Sequence, residues 1–137
     1  MDETDFKILD LLKQDSRATN RDIASKVQLT EGAVRNRIRR LLQNRTIKRF
    51  TIETEEAQIE AIVLIRTRTK GSREVLRKIR QIADRLFETA GEFDVAVHLA
   101  SESLQEINAK VDRLRRVDGV ISTMTLLKIA DDQTMRA

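Results

Sequence analysis

The chain has 137 residues, 40% hydrophobic and 35% charged, with a formal net charge of +4. That length fits one ordinary domain or two small ones. No apolar run nears the ~18 residues of a membrane-spanning helix, and the acidic opening MDETD is not a signal peptide; a soluble, cytoplasmic protein is expected, and the lack of cysteine rules out disulfides, thiolate metal sites and a cysteine nucleophile.

Asp2 to Gln14 is predicted to form a first helix, with acidic residues at the positive end of its dipole and Phe6, Ile8, Leu9 and Leu12 as its apolar side. Asp15 to Ala18 is a polar connector. Ile23, Ala24 and Val27 then recur at helical spacing, Leu29 closes a tight connection, and Thr30 is suited to cap a further helix. In that helix Val34, Ile38 and Leu41 share one stripe, while Gly32, Arg35, Asn36, Arg39 and Gln43 lie opposite. Two short helices joined by a tight turn, the second basic on its outer face, make a helix-turn-helix pattern. Arginine and asparagine match guanine and adenine edges. A DNA interface is therefore expected at Asn20, Arg21, Thr30, Glu31, Gly32, Ala33, Arg35, Asn36, Arg39 and Arg40, with Thr30 and Asn20 near phosphates.

Charge supports this placement. Residues 1–50 hold 12 Lys and Arg against 7 Asp and Glu, whereas residues 51–137 hold 14 against 15. The positive excess sits with the candidate DNA-binding unit. The aromatic content is only 3%, all of it Phe, which argues against a single-strand stacking platform.

Ile47 to Ile52 alternates in the manner of a short strand, a wing or the start of a linker. The first domain is placed at 1–52, an acidic linker at 53–60 and a second domain at 61–137. In the latter a β-branched strand runs from Ala61 to about Thr69. A helix capped by Ser72 carries Val75, Ile79, Ile82 and Leu86. A short extended piece spans Phe87 to Ala90. Phe93, Val95, Val97 and Leu99 then alternate with Asp94, Ala96, His98 and Ala100. A helix capped by Ser103 carries Leu104, Ile107, Val111 and Leu114; Gly119 ends it, and Val120 to Ile129 is a last strand. The order βαββαβ is ferredoxin-like, with both helices on one face of the sheet. The other face should be apolar and covered by a second subunit, and Val95 and Val97 are expected to lie in that two-fold interface. The fold class is thus α+β, a winged helix-turn-helix followed by a ferredoxin-like domain.

Nothing points to catalysis. There is no phosphate-binding glycine loop, dinucleotide fingerprint or HExxH motif. His98, the only histidine, has a structural or solvated role, and Asp131-Asp132 is a solvated pair. No metal or cofactor is expected.

Four stretches in this order carry a family resemblance: DETDFKILDLLKQDSRATNRDIASKV, LTEGAVRNRIRRLLQNRTIKRFT, GEFDVAVHLA and VDGVISTMTLLKI. Together they resemble the Lrp/AsnC, or feast/famine, regulators over nearly the whole chain. The segment between the domains is shorter than usual, and Asn44-Arg45 stands where the family commonly has a glycine. The resemblance implies a transcription regulator of amino-acid metabolism that binds a pseudo-palindromic operator as a dimer. Its second domain would dimerise, often assemble to octamers, and bind a small effector, usually an amino acid.

The effector contacts are expected at Gly91, Glu92, Phe93 and Asp94, joined by Ser122, Thr123, Met124 and Thr125 of a neighbouring subunit. This loop offers close backbone approach and acidic acceptors, and the strand offers hydroxyl and apolar contacts. A tight turn in which Asp94 satisfies its own backbone would look the same in sequence. Two other function classes fit the residues: a constitutive architectural DNA-binding protein whose second domain only oligomerises, and a ligand-binding subunit whose basic helices contact a protein.

Overall fold

The computed structural model describes residues 1–56, 58–68 and 72–131. The chain divides into a unit spanning Met1–Glu55 and a second beginning at Glu56.

The first unit is three helices: α1 (Glu3–Gln14), α2 (Asn20–Val27) and α3 (Glu31–Gln43). Each starts on a side-chain cap. Asp2, Thr19 and Thr30 accept from the backbone N–H groups of Asp5, Asp22 and Ala33, satisfying donors that a helix start leaves orphaned. Asp2 and Asp5 form a reciprocal capping box. Ile8, Leu12, Ile23, Ala24 and Val34 make the buried core, with Leu11, Val27, Leu29, Ile38 and Ile47 packed against it. Phe6, predicted to roof this core, is 56% exposed, and Asp5 is buried in its stead. The stripe through Ile8 and Leu12 continues to Asp5 at i−3, not to Phe6 at i−2.

The predicted strand and wing over 47–52 do not form. After α3 the backbone turns left-handed at Arg45, φ 61°, which is the conformation a glycine would adopt there. Ile47 then donates its N–H to the Leu41 carbonyl at 2.9 Å and packs on the helical core, and residues 48–56 have no regular structure. Every other element of this unit is a helix, so a lone strand has no ladder to join.

The second unit is β1 (Ile59–Thr67), α4 (Arg73–Ile82), β2 (Arg85–Glu88), β3 (Val95–Ser101), α5 (Leu104–Arg115) and β4 (Val120–Leu127). The sheet order is β2-β3-β1-β4 and every pairing is antiparallel, the ferredoxin-like arrangement. Strand β1 starts two residues earlier than predicted and takes Ile59 and Glu60 from the linker. It ends at Thr67, with Arg68 in a bend, and Thr69, to which it was expected to run, lies with Asp132 of the tail pair outside the described residues. Leu86, predicted as the last helical apolar residue, belongs to β2 instead. Ala83 is extended and Asp84 donates its N–H to the His98 carbonyl, so pairing with β3 begins where the helix stops. Phe93 likewise precedes β3 and sits in the loop.

Parity divides the sheet. Ala61, Val63, Ile65, Val95, Val97 and Leu99 point to the helices and are buried with Leu76, Ile79, Ile107, Val111 and Leu114. The open face carries Ile62, Leu64, Phe87, Ala96, Met124 and Leu126. Contrary to the expectation of a subunit interface, Val95 and Val97 therefore lie in the chain's own core, 2% and 1% exposed. The period of two holds along β3, and Val95, Val97 and Leu99 are the set that faces the helices.

Expected consequences separate the two faces. Val97→Ala should lower the unfolding free energy by about 2 kcal/mol through lost apolar burial and a residual cavity. Phe87→Ala, on the open face, should leave it nearly unchanged at concentrations too low for self-association. Denaturant titration of both variants checks this.

Candidate nucleic-acid interface and effector loop

Helix α3 presents two different sides. Val34 and Leu41 are buried, and Arg35, Asn36, Arg39 and Arg40 are exposed. Glu31 is also exposed, and Gly32 and Ala33 are half-buried at the helix start. A side chain built on Gly32 would meet nothing within 4 Å, so this glycine leaves a gap on the surface and relieves no internal clash. Arg21 is exposed and Asn20 half-buried at the start of α2. Arg39 Nη1 reaches Asn36 Oδ1 at only 3.5 Å, leaving both groups free to meet base edges. The expected interface residues thus share one unit, with Asn20 and Arg21 at one helix start and the rest on α3. Thr30 is engaged as a cap, its Oγ1 accepting from Ala33 N at 3.1 Å, and its hydroxyl proton can still be donated to a phosphate.

Arg37 is the residue that sequence reading missed. It lies on the recognition helix among the exposed arginines but is turned toward α1. Its Nη1 donates to both Asp2 carboxylate oxygens, at 2.8 and 2.7 Å, and to Asp5 Oδ1 at 3.0 Å. The clamp joins α3 to the capping box of α1. Hydrogen bonds from Arg37, followed by the Asp5 backbone N–H, hold the Asp2 carboxyl down at about 2, and the hydrogen bonds to the Asp2 and then the Asp5 carboxylate raise the Arg37 pKa. The signal available in the sequence was its helical position. Arg37 lies at i+3 from Val34 and i−4 from Leu41, on the edge of the buried stripe.

In the second unit the 91–94 loop folds onto the end of β1. Thr67 donates its N–H to Asp94 Oδ2 at 2.8 Å, and Asp94 donates its N–H to the Ile65 carbonyl at 2.9 Å. The Thr89 hydroxyl donates to the Phe93 carbonyl at 2.8 Å. One Asp94 oxygen is thereby committed to the turn, as an ordinary tight turn would have it. Arg66 is the second residue missed. Its Nε donates to the Glu92 carbonyl at 3.1 Å, its Nη2 pairs with the Glu92 carboxylate, and its guanidinium lies over the Phe93 ring, 5.3 Å from the centroid. Gly91 has φ 127° and open space where a Cβ would stand, so another molecule can approach its backbone closely.

The expected partners on β4 divide between faces. Ser122 pairs with Arg66 and Met124 with Leu64 on the open face, whereas Thr123 and Thr125 pair with Ile65 and Val63 on the helix side. The Thr123 hydroxyl accepts from Arg115 Nε at 3.0 Å. Within one chain Ser122 is thus the cross-strand neighbour of Arg66, which holds the loop, while Thr123 and Thr125 lie on the helix side of β4. His98 is on the open face, 2.8 Å from Glu60, and Lys128 also binds that carboxylate. Lys128 and then His98 hold the Glu60 carboxyl below its usual range. No group of three or more His, Cys, Asp or Glu among the described residues could hold a metal.

A capped helix-turn-helix with an arginine-rich outer face, followed by a ferredoxin-like sheet, defines a two-unit DNA-binding transcription regulator. Residues 1–42 match the AsnC-type helix-turn-helix domain. The HTH-type transcriptional regulator LysM of Saccharolobus solfataricus is 36% identical over 127 residues, covering 90% of this chain and 89% of its own. The HTH-type transcriptional regulator FL11 of Pyrococcus furiosus is 30% identical over 142 residues, covering 98% and 94%. The structure of E. coli AsnC superposes with a TM-score of 0.80 at 16% identity, covering 100% of this chain and 97% of that one, a likeness of fold. The chain belongs to the Lrp/AsnC family of DNA-binding transcription regulators. No helix among the described residues is long and apolar enough to cross a membrane.

The clamp and the exposed arginines should respond differently. Arg35→Ala or Arg39→Ala should cost roughly 1–3 kcal/mol of operator affinity if each holds a base bidentately. Arg37→Met should lower the melting temperature and weaken operator binding without changing the salt slope, because it touches no phosphate. The Asp2 carboxyl is depressed in the folded state, so its contribution is present above the ordinary value of 3.8 and is lost as pH falls through about 2. The stability difference between the wild type and Asp2→Asn should therefore persist to about pH 4, shrink as pH falls toward about 2 and vanish below it, measured by thermal unfolding.

Proposed function

We propose that the protein is a cytoplasmic regulator of amino-acid metabolism whose second unit binds a free amino acid and joins subunits for operator recognition. Gly91, with its open backbone beside the Arg66–Glu92 pair, supports the effector reading most directly. An amino acid carries a carboxylate and an ammonium. Arg66 supplies the cation for the first and Glu92 the anion for the second, each exchanging its internal partner for the ligand. Phe93, Ser122 and Met124 complete the surroundings on the same face, and Asp94 holds the loop in place.

The open sheet face supports assembly. Ile62, Phe87, Met124 and Leu126 are 47%, 50%, 50% and 50% exposed, an apolar patch that association with a second copy would remove from water. A two-fold dimer presents two recognition helices, matching the half-sites of a pseudo-palindromic operator, and dimers could build an octamer. A constitutive architectural binder would use the same DNA surface and the same apolar face with no effector.

Calorimetry across the amino acids tests the effector reading. One amino acid should bind the wild type, lose most affinity in Arg66→Met, and bind Thr123→Ala, on the helix side, as it binds the wild type. Silence from every amino acid would leave the architectural binder. Leu64→Asp, on the open face, should shift sedimentation toward the monomer and weaken operator binding. An unchanged oligomer would remove this face from the assembly.

A further inference from the structure

Unit two is close to neutral in total, yet its charge is sorted by position. Helix α4 buries Leu76 and Ile79 against the sheet and turns Arg73, Arg77 and Arg80 to solvent. These are i, i+4 and i+7, one row along two turns and about 10 Å long. Among the described residues none of the three has a hydrogen-bond or ion-pair partner, whereas the neighbouring acids are occupied. Glu74 pairs with Lys78 at 3.5 Å, Asp84 with Lys110 at 4.0 Å, and Asp118 with Arg68 at 3.8 Å. The row is therefore a stripe of uncompensated guanidinium groups on a rigid helix. It lies on the side of the sheet opposite the apolar face.

We propose that Arg73, Arg77 and Arg80 form a second, sequence-independent DNA contact that binds backbone phosphates beside the operator. Guanidinium forks match phosphate oxygens bidentately, and a row on one helix pays little ordering entropy for the backbone that carries it. DNA is the polyanion already held by the other unit of the same chain. A tethered second contact is therefore made at high effective concentration, even where the isolated stripe binds weakly. Such contacts position a duplex without reading it, so this surface extends the footprint and leaves sequence choice to α3.

The test compares two duplexes recovered with the full chain by selection from random sequence. One is trimmed to the shortest length that retains binding. The other is extended by about two helical turns of arbitrary sequence on each side. The wild type should bind the extended duplex on the order of tenfold more tightly at ~0.1 M salt, and with a steeper salt dependence. Replacing Arg73, Arg77 and Arg80 together by Gln, at exposed helical positions that tolerate it, should abolish the length advantage and reduce the salt slope by about 1 per arginine that meets a phosphate. Affinity for the trimmed duplex should be unchanged. The triple Lys variant should recover much of the advantage, since the charge returns. A wild type indifferent to duplex length overturns the proposal. So does a Gln variant that keeps the full advantage, which would show that the added DNA is held by other residues.

Discussion

A sheet with both helices on one side imposes the constraint from which the second unit follows. Successive side chains alternate in direction, so one parity of β1, β3 and β4 must meet the helices and the other must meet something else. Val63 and Val97 are paired and buried, and their neighbours Leu64 and Ala96 are paired and outward. A single register decides all of these at once. Slipping it by one residue would expose the valines and bury Arg66, His98 and Lys128. The apolar open face, the Glu60 cluster and the loop seated against Arg66 and Thr67 all depend on that pairing.

The first unit solves a different problem. Its buried core is small, and its working helix has to carry several arginines without being displaced. Caps on all three helices satisfy the orphaned N–H groups, and the Arg37 clamp ties the middle of α3 to the start of α1. Arg37 is thus spent inside the unit so that Arg35, Asn36 and Arg39 are presented from a fixed helix. Identical residue types a few positions apart serve opposite ends, and only their angle around the helix distinguishes them.

Charge in this protein is organised by surface rather than by segment. Totals for the two halves place the positive excess in the first, yet the second carries its own basic row on α4, balanced in the total by acids spread over its linker, loops, strands and helices. A net value averages over faces that a partner would meet one at a time. The same averaging hides the open face of the sheet, whose apolar residues alternate with buried ones and stand out in no composition window.

Much was legible in the chain as written. Caps at Thr30 and Ser103, helical recurrence through Val34, Ile38 and Leu41, and the βαββαβ order are local patterns, and local patterns follow from backbone geometry and side-chain spacing. They also gave the exposed face of α3, because that face is defined by the residues opposite its apolar stripe. Partners beyond the local window had to be decided by folding. Which parity of β3 faces the helices, whether Ile47 joins a strand or a helical core, where Leu86 leaves one element for the next, and which arginine of α3 turns inward each depend on residues tens of positions away. Spacing alone specifies a face but not its partner, and that choice is made by the tertiary packing that removes one face from water.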